Sequence, residues 1–286
     1  MVKSFLDMDI KEQERALNFI MKYKNTYKSV EDFKNELNNK ICNYGEGIIF
    51  YYDENGIKGK LSIILELVEK LKVIYINKII CPYEDENILK ALINEAKTIA
   101  DKYKAKEILI GIRDEKLMNL SKKLGLNKSY SSFKMILKNK STIYNTLETV
   151  KLSNKNIEDY VNTYNKSFMD MPHGTFIEIE DAKEYLENKD PKEDYFIIIK
   201  NNEKIGFLST VIEDNKGFFD IGLIKEYRGK GYGKKLLETA IEFFKEKNVD
   251  NICLIVIEKN EVAFEMYKKR GFEVYEKLSD WIEIYL

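Results

Sequence analysis

Arg228–Gly233 read Arg-Gly-Lys-Gly-Tyr-Gly, in a chain of 286 residues that has only 14 glycines. Gly222, Gly229, Gly231 and Gly233 all fall within residues 222–233. The apolar run Gly217–Ile224 (GFFDIGLI) precedes the cluster and predicts a strand. Lys234–Lys247 (KKLLETAIEFFKEK) follows it, with apolar residues at Leu236, Leu237, Ala240, Ile241 and Phe244, the spacing of an amphipathic helix. A strand, a glycine loop and a helix start gather several backbone N–H groups around one point. With the positive end of the helix dipole they make an anion site, most naturally for phosphate. Glycines accept positive φ and admit a ligand close to the backbone. Arg228, Lys230 and Lys234 add positive charge.

Spacing excludes two familiar phosphate loops. A dinucleotide fingerprint needs G-x-G-x-x-G, but counting from Gly229 the last position is Lys234. A Walker loop needs a longer gap between its glycines, then Lys and Ser or Thr; here Lys234 is followed by Lys235. What fits is the (Arg/Gln)-x-x-Gly-x-(Gly/Ala) loop, filled by Arg228, Gly231 and Gly233, and the surrounding LIKEYRGKGYGKKLLETAIEF resembles the strand–loop–helix of the GNAT acyl-CoA N-acyltransferases. Downstream, Asn251–Ile257 (NICLIVI) predicts a strand buried on both faces, and Glu258–Phe272 (EKNEVAFEMYKKRGF) a helix closed by a glycine. This pair resembles the family's second motif, N-x-x-A-x-x-x-Y-x-x-x-G-F, at Asn260, Ala263, Tyr267, Gly271 and Phe272. On a helix, Asn260, Ala263, Phe264 and Tyr267 share one face.

The resemblance covers residues 144–286. It implies acetyl-CoA as co-substrate, with the pyrophosphate on Arg228, Gly229, Lys230, Gly231, Tyr232, Gly233 and Lys234. It places the pantetheine arm along Gly222, Leu223 and Ile224, with Asn260, Ala263 and Tyr267 on the other side. It implies no metal.

Composition sets bounds. The length suits two ordinary domains. Lys and Arg number 47 against 48 for Asp and Glu, a formal charge of −1, so nothing marks a bulk nucleic-acid or membrane binder. Cys42, Cys81 and Cys253 form no disulfide framework and have no metal-ligand spacing. No apolar run reaches the length of a membrane span, and MVKSFLDMDIKEQE is no signal peptide. A cytoplasmic enzyme, monomeric or homodimeric, fits these features.

The chain also repeats itself. Ile108–Arg113 matches Ile252–Ile257, Gly125 matches Gly271, and Leu92, Ile93 and Ala96 match Leu236, Leu237 and Ala240. The hairpin Ile48–Gly59 likewise resembles Phe196–Gly206. The fold expected is α/β: two tandem GNAT-like domains, 1–143 and 144–286, joined within Lys138–Asn145. Each would hold a mixed, mostly antiparallel sheet flanked by helices, with one parallel, splayed strand pair. Opposite Arg228, Gly229, Lys230 and Gly231 stand Glu84, Asp85, Glu86 and Asn87, and opposite Tyr267 stands Ser121. Three carboxylates would repel a pyrophosphate, so the N-terminal copy is expected to be degenerate and to leave catalysis to the C-terminal one.

Acyl transfer from a thioester to an amine requires a polarised carbonyl, a deprotonated amine and a proton for the leaving thiolate. Backbone N–H groups near Leu223 and Ile224 would meet the carbonyl. Tyr267 stands at the family's tyrosine position and is the expected acid; Asp220, two residues before Gly222, is the expected base, acting through water. His173, the single histidine, lies in MDMPHGT (Met169–Thr175) between the first two predicted helices (Asn154–Phe168 and Glu180–Asn188) of the C-terminal copy, and is a further proton-transfer candidate. Asp170 could bind a cationic amine. The expected acceptor is the primary amine of a small molecule, by fold-level analogy an amino sugar such as glucosamine or an aminoglycoside. Acetylation of a protein N-terminus or lysine, and a non-catalytic acyl-CoA sensor, are the alternatives.

Overall fold

The computed structural model describes the whole chain except residues 24–25, 83–84, 139–144 and 188–191. The expected joint between the copies, Lys138–Asn145, and the acidic Glu84 therefore lie largely outside the described residues.

The N-terminal copy runs β1 (Val2–Ser4), α1 (Ile10–Ile20), α2 (Val30–Leu37), β2 (Ile48–Asp53), β3 (Gly56–Ile64), α3 (Val68–Leu71), β4 (Val73–Ile80), α4 (Glu86–Lys102), β5 (Glu107–Ile112), α5 (Glu115–Lys123) and β6 (Tyr130–Leu137). The C-terminal copy repeats that order, lacking only a counterpart of the short α3: β7 (Glu148–Lys151), α6 (Ile157–Phe168), α7 (Ile179–Glu187), β8 (Glu193–Lys200), β9 (Glu203–Glu213), β10 (Lys216–Leu223), α8 (Tyr232–Glu246), β11 (Asn251–Ile257), α9 (Glu261–Arg270) and β12 (Glu273–Tyr285). The chain is a tandem of one fold.

The packed units are not cut where the repeat is. One comprises Met1–Ser131 with Ser279–Leu286, the other Ser132–Leu278. The cause is an exchange of last strands. Within the first unit, β5 pairs antiparallel with the end of β12, from Ile112↔Asp280 to Glu107↔Tyr285. Within the second, β11 pairs antiparallel with β6, from Ile252↔Leu137 to Ile257↔Ser132. Each copy's sheet is thus flanked by the strand that ends the other copy's sequence.

Helices cover both sheet faces in each unit. In the second, Leu236, Leu237, Ala240, Ile241 and Phe244 of α8 pack with Ile198, Leu208, Phe219 and Leu254 on one face. On the other face, Tyr160 of α6 and Ala182 of α7 pack with Ile197 and Phe207. Burying each large side chain stabilises the fold by about 1.5–3 kcal/mol. In the first unit the corresponding clusters lie under α4 and α5 (Leu92, Ala96, Leu117 with Ile74, Ile108, Ile110) and under α1 and α2 (Ile20, Phe33 with Ile48, Phe50).

Each unit carries one parallel pair, β4–β5 and β10–β11, among antiparallel ones. The β10–β11 pairing stops at Phe218↔Cys253, while β10 continues to Leu223 and β11 to Ile257. The two strands splay, leaving the outer edge of Phe219–Leu223 without a strand partner. One expectation for β11 needs correction. It is not buried on both faces: Ile255 is 61% exposed, whereas Cys253 is 1% exposed on the same face where β10 still pairs.

Candidate active site

The loop that starts α8 is open and lined by glycine. Gly229 and Gly231 have φ of 74° and 82°, the left-handed region that favours glycine, and a Cβ at either would meet nothing within 4 Å. Gly231 caps α8 with no side-chain hydrogen bond, and the first turn holds no acidic residue. The first backbone N–H groups of the helix therefore face outward unpaired, and the helix dipole adds to their pull. Tyr232 and Gly233 form the start of the helix; Lys230 and Lys234 are exposed beside it.

Arg228 is not a free cation above this loop. Its Nη1 and Nη2 donate to both carboxylate oxygens of Asp170 at 2.9 and 2.7 Å, Nη2 also donates to Ser167 O, and Nε donates to Leu223 O, both at 2.9 Å. The guanidinium clamps the loop to the end of β10 and to the C-terminal turn of α6, where a cation suits the dipole. It holds the Asp170 carboxyl below the usual carboxylate range, mainly through the hydrogen bonds. Asp170, expected as an amine ligand, is thereby committed to Arg228.

At the end of β10 the structure separates two expected carbonyl-polarising groups. The Ile224 amide donates to Ile205 O at 2.9 Å, toward β9, so it is not on the open edge. Alternation along an antiparallel strand then turns the Leu223 amide outward to the splayed side. Gly222 has a packing reason to be glycine: a Cβ there would lie 2.6 Å from the Phe207 ring and 2.9 Å from Ser167 Cβ.

The C-terminal motif residues take distinct places. Asn260 caps α9, its side chain accepting from the Ala263 amide at 3.4 Å. Arg270 of α9 forks onto buried Glu238 of α8, with Nη2 to Oε2 at 3.2 Å, and fixes one helix against the other. Tyr267 is buried, edge-on to Phe219 (6.4 Å between centroids) and against Phe272 (5.8 Å). Its hydroxyl has no hydrogen-bond partner among the described residues, and burial, then the Asp220 charge, pushes its pKa far up, so the phenol stays protonated.

Asp220 faces the opposite side of β10 from Phe219, toward α6. It is exposed, and desolvation by the surrounding protein pushes its pKa up. Just past the last β10–β11 pair, Asp220 thus faces α6 while Phe219, with Tyr267 against it, faces α8. His173 lies half-buried in the turn after α6, in the left-handed conformation (φ 56°), on a different element from either.

The sequence reading missed the aromatic surroundings of Asp220. Tyr160 and Tyr164 of α6, Tyr185 of α7 and Tyr195 of β8 pack as a set: Tyr185 stacks on Tyr195 at 4.5 Å, and Tyr160 meets Tyr164 and Tyr195 at 6.1 Å each. The i, i+4, i+8 spacing of Tyr160, Tyr164 and Phe168 was the available signal.

The N-terminal copy differs at both corresponding places. Asp85 caps α4, its Oδ1 accepting from the Asn87 amide at 3.0 Å, and Glu86 stands in the first turn. A carboxylate of the chain thus satisfies a helix N-terminus that Gly231 leaves open in the other copy. Residues 59–62 (GKLS) parallel 206–209 (GFLS), which sets Lys60 opposite Phe207. Lys60 is fully buried, hydrogen-bonded to Tyr27 and Ser62 and 3.6 Å from Glu36, while Tyr27 and Lys78 donate to Glu36 at 2.7 and 2.8 Å. Burial pushes Lys60 down to about 8, and the surrounding cations and donors hold Glu36 at about 2 despite its own burial. Ser121, opposite Tyr267, donates to Leu117 O at 2.9 Å within its own helix.

Residues 154–272, which hold this glycine-lined helix start and the splayed strand pair, match the acetyltransferase (GNAT) family. Acetyl-CoA-dependent transfer is the general reaction of that family. The chain is 40% identical over 76 residues to the [ribosomal protein bS18]-alanine N-acetyltransferase of Haemophilus influenzae, covering 26% of this chain and 51% of that one. It is 30% identical over 107 residues to the spermidine N(1)-acetyltransferase of Escherichia coli K12, covering 36% and 57%. These matches span little more than half of those relatives. Among solved structures, a probable N-acyltransferase from Enterococcus faecalis superposes with a TM-score of 0.64 at 11% identity, covering 100% of this chain and 72% of that one, which supports the fold alone. Among the described residues no group of His, Cys, Asp and Glu could hold a metal ion, and no helix is long and apolar enough to cross a membrane.

Proposed function

We propose that the protein is an acetyl-CoA-dependent N-acetyltransferase whose C-terminal copy, residues 144–286, transfers an acetyl group to the primary amine of a small molecule. The observation that carries this is the uncapped, glycine-lined start of α8 beside the splayed edge of β10. The residues fit the co-substrate: open space around Gly229 and Gly231 and the outward N–H groups would hold a pyrophosphate, and the free edge of β10 would pair with an amide-bearing arm. When bound, acetyl-CoA supplies the activated acyl group. The Leu223 amide is oriented to meet a carbonyl oxygen. Asp220 Oδ takes a proton from the acceptor ammonium, directly or through water, and Tyr267 Oη gives one up at the opposite side. His173 would serve the acceptor side. Only this copy binds the co-substrate, because Asp85 already occupies the matching helix start in the other.

The acceptor is proposed from chemistry and from relatives. One relative is named for spermidine and another for a ribosomal protein's alanine, and both acceptors are amines. The amino sugar or aminoglycoside expected from sequence belongs to the same class. A thiol-release assay with acetyl-CoA and a panel of polyamines, amino sugars and peptides tests the reading. Turnover on small amines supports it, turnover on peptides alone favours protein acetylation, and acetyl-CoA binding without turnover on any amine favours a sensor.

A further inference from the structure

The two helices that carry the glycine loop and Tyr267 are anchored unequally. α8 buries Leu236, Leu237, Ala240, Ile241 and Phe244 in the core, whereas α9 buries Tyr267, half-covers Ala263, Phe264 and Met266 and exposes Val262 at 85%. A helix of fewer than about 12 residues is marginal on its own, and α9 has 10. Its place is therefore set by what it touches. One contact is Met266: a Cβ on Gly233 would lie 3.5 Å from its Sδ, so α9 meets the first turn of α8 there. The other is the fork on Glu238, where Arg270 Nε donates to Oε1 and Nη2 to Oε2 at 3.2 Å. The two side chains are 16% and 6% accessible.

Gly233 to Glu238 spans about 7.5 Å of helix and Met266 to Arg270 about 6 Å. The order and spacing of these contacts make α8 and α9 run side by side in the same sense, joined at two rungs. Tyr267 lies between the rungs in sequence, with its ring against Phe219 and Phe272. The rungs differ in stiffness. A thioether contact tolerates sliding, while a guanidinium on both oxygens of a carboxylate fixes distance and angle together. We propose that Glu238 and Arg270 are positioning residues for acetyl transfer: their fork holds α9 in register on α8 and so sets the Tyr267 hydroxyl at the distance from the glycine loop that protonation of the leaving thiolate requires. This deepens the acetyltransferase reading and rests on it. Both residues act through Tyr267, not on the substrates.

The test is a kinetic cycle on the full-length protein, below the melting temperature of every variant. Thiol release from acetyl-CoA is followed with spermidine, glucosamine or an alanine-ended peptide, whichever the natural chain acetylates fastest. The natural chain is compared with Arg270→Lys, Tyr267→Phe and the double variant. Lysine keeps the charge but cannot span both oxygens of Glu238. A misplacement of about 1 Å can cost about 10²-fold, so kcat of Arg270→Lys should fall about tenfold or more with KM for acetyl-CoA unchanged. Added to Tyr267→Phe, the same substitution should cost nothing further, because the group it aligns is already gone. Glu238→Gln should show the same split and serves if Arg270→Lys does not fold. A kcat close to natural in both fork variants, near-natural kcat in Tyr267→Phe, or losses that multiply in the double variant overturn the positioning role while the natural chain stays active. No turnover by the natural chain on any of the amines overturns the acetyltransferase reading, and the positioning role with it, so the two failures are distinguishable.

Discussion

The guanidinium of Arg228 grips both carboxylate oxygens of Asp170, at 2.9 and 2.7 Å, across 58 residues of sequence. The pair is partly exposed, with 30% and 40% of the two side chains accessible, so its direct contribution to stability is small. Its effect is positional, because the same guanidinium ties the glycine loop to Leu223 and Ser167. Arg228→Ala should weaken acetyl-CoA binding about tenfold, a change of ~1.4 kcal/mol, while the melting temperature moves little. The Asp170 carboxyl is held below its ordinary range, so the clamp's contribution is fully present above that range and is lost as pH falls through the lowered value. Calorimetric titration across acidic pH checks both statements.

Tyr267→Phe removes one unpartnered hydroxyl and keeps the ring contacts with Phe219 and Phe272. General acid catalysis contributes about 10²–10⁴-fold, so kcat should fall by that order with acetyl-CoA affinity nearly unchanged. Ser121→Ala, at the matching place in the other copy, should leave turnover untouched. Steady-state kinetics of both variants, with more than about a third of kcat retained in Tyr267→Phe, would remove Tyr267 from the acid role.

Asp220→Asn should separate stability from activity. The folded-state pKa of Asp220 is raised, so the folded chain holds its proton to higher pH than the unfolded chain does. The stability this contributes is present below the ordinary aspartate range and is lost as pH rises through the raised value. Asp220 is exposed, so solvent screens this effect, and the melting temperature of Asp220→Asn should stay close to that of the natural chain at neutral pH. Turnover should fall by about 10²-fold or more if Asp220 is the base. Turnover kept near the natural rate in a normally folded Asp220→Asn would remove Asp220 from the base role.

Removal of Ser279–Leu286 should destabilise the N-terminal copy. That segment supplies the strand beside β5, with Ile282 only 1% exposed and Trp281 opposite Gly111 and edge-on to Tyr75 at 6.3 Å. Losing the burial of these side chains alone costs about 3 kcal/mol or more, a large share of the roughly 5–15 kcal/mol that holds a domain folded. The chain ending at Leu278 should melt roughly 10 °C lower. A melting curve matching that of the full chain would contradict the strand exchange.

What could be read in advance follows from the range of each signal. The Arg228–Gly233 loop, the strand before it and α8 after it were legible because glycine spacing and helical periodicity are local. β11 was bounded correctly at Asn251–Ile257, but its exposure was not foreseen, since Ile255 is uncovered only where β10 has already diverged. The exchange of β6 and β12 left no local mark, because the partner of each strand, β11 and β5, is set by contacts distant in sequence. The partner of Arg228 and the tyrosines around Asp220 were equally silent. They come from α6, α7 and β8, and converge only through the sheet register. The one trace of them was the tyrosine spacing on α6.

The most direct measurement is a calorimetric titration of the full-length chain with acetyl-CoA, beside Gly233→Glu. Gly233 does not have positive φ, and a Cβ there would meet Met266 Sδ at an ordinary 3.5 Å, so the substitution is tolerated by the fold. A glutamate in the first turn also suits the helix dipole, yet it sets a negative charge where the pyrophosphate must lie. The account predicts one acetyl-CoA per chain for the natural protein and none for Gly233→Glu, with equal melting temperatures. Two per chain, no binding, or unchanged binding in Gly233→Glu would contradict it.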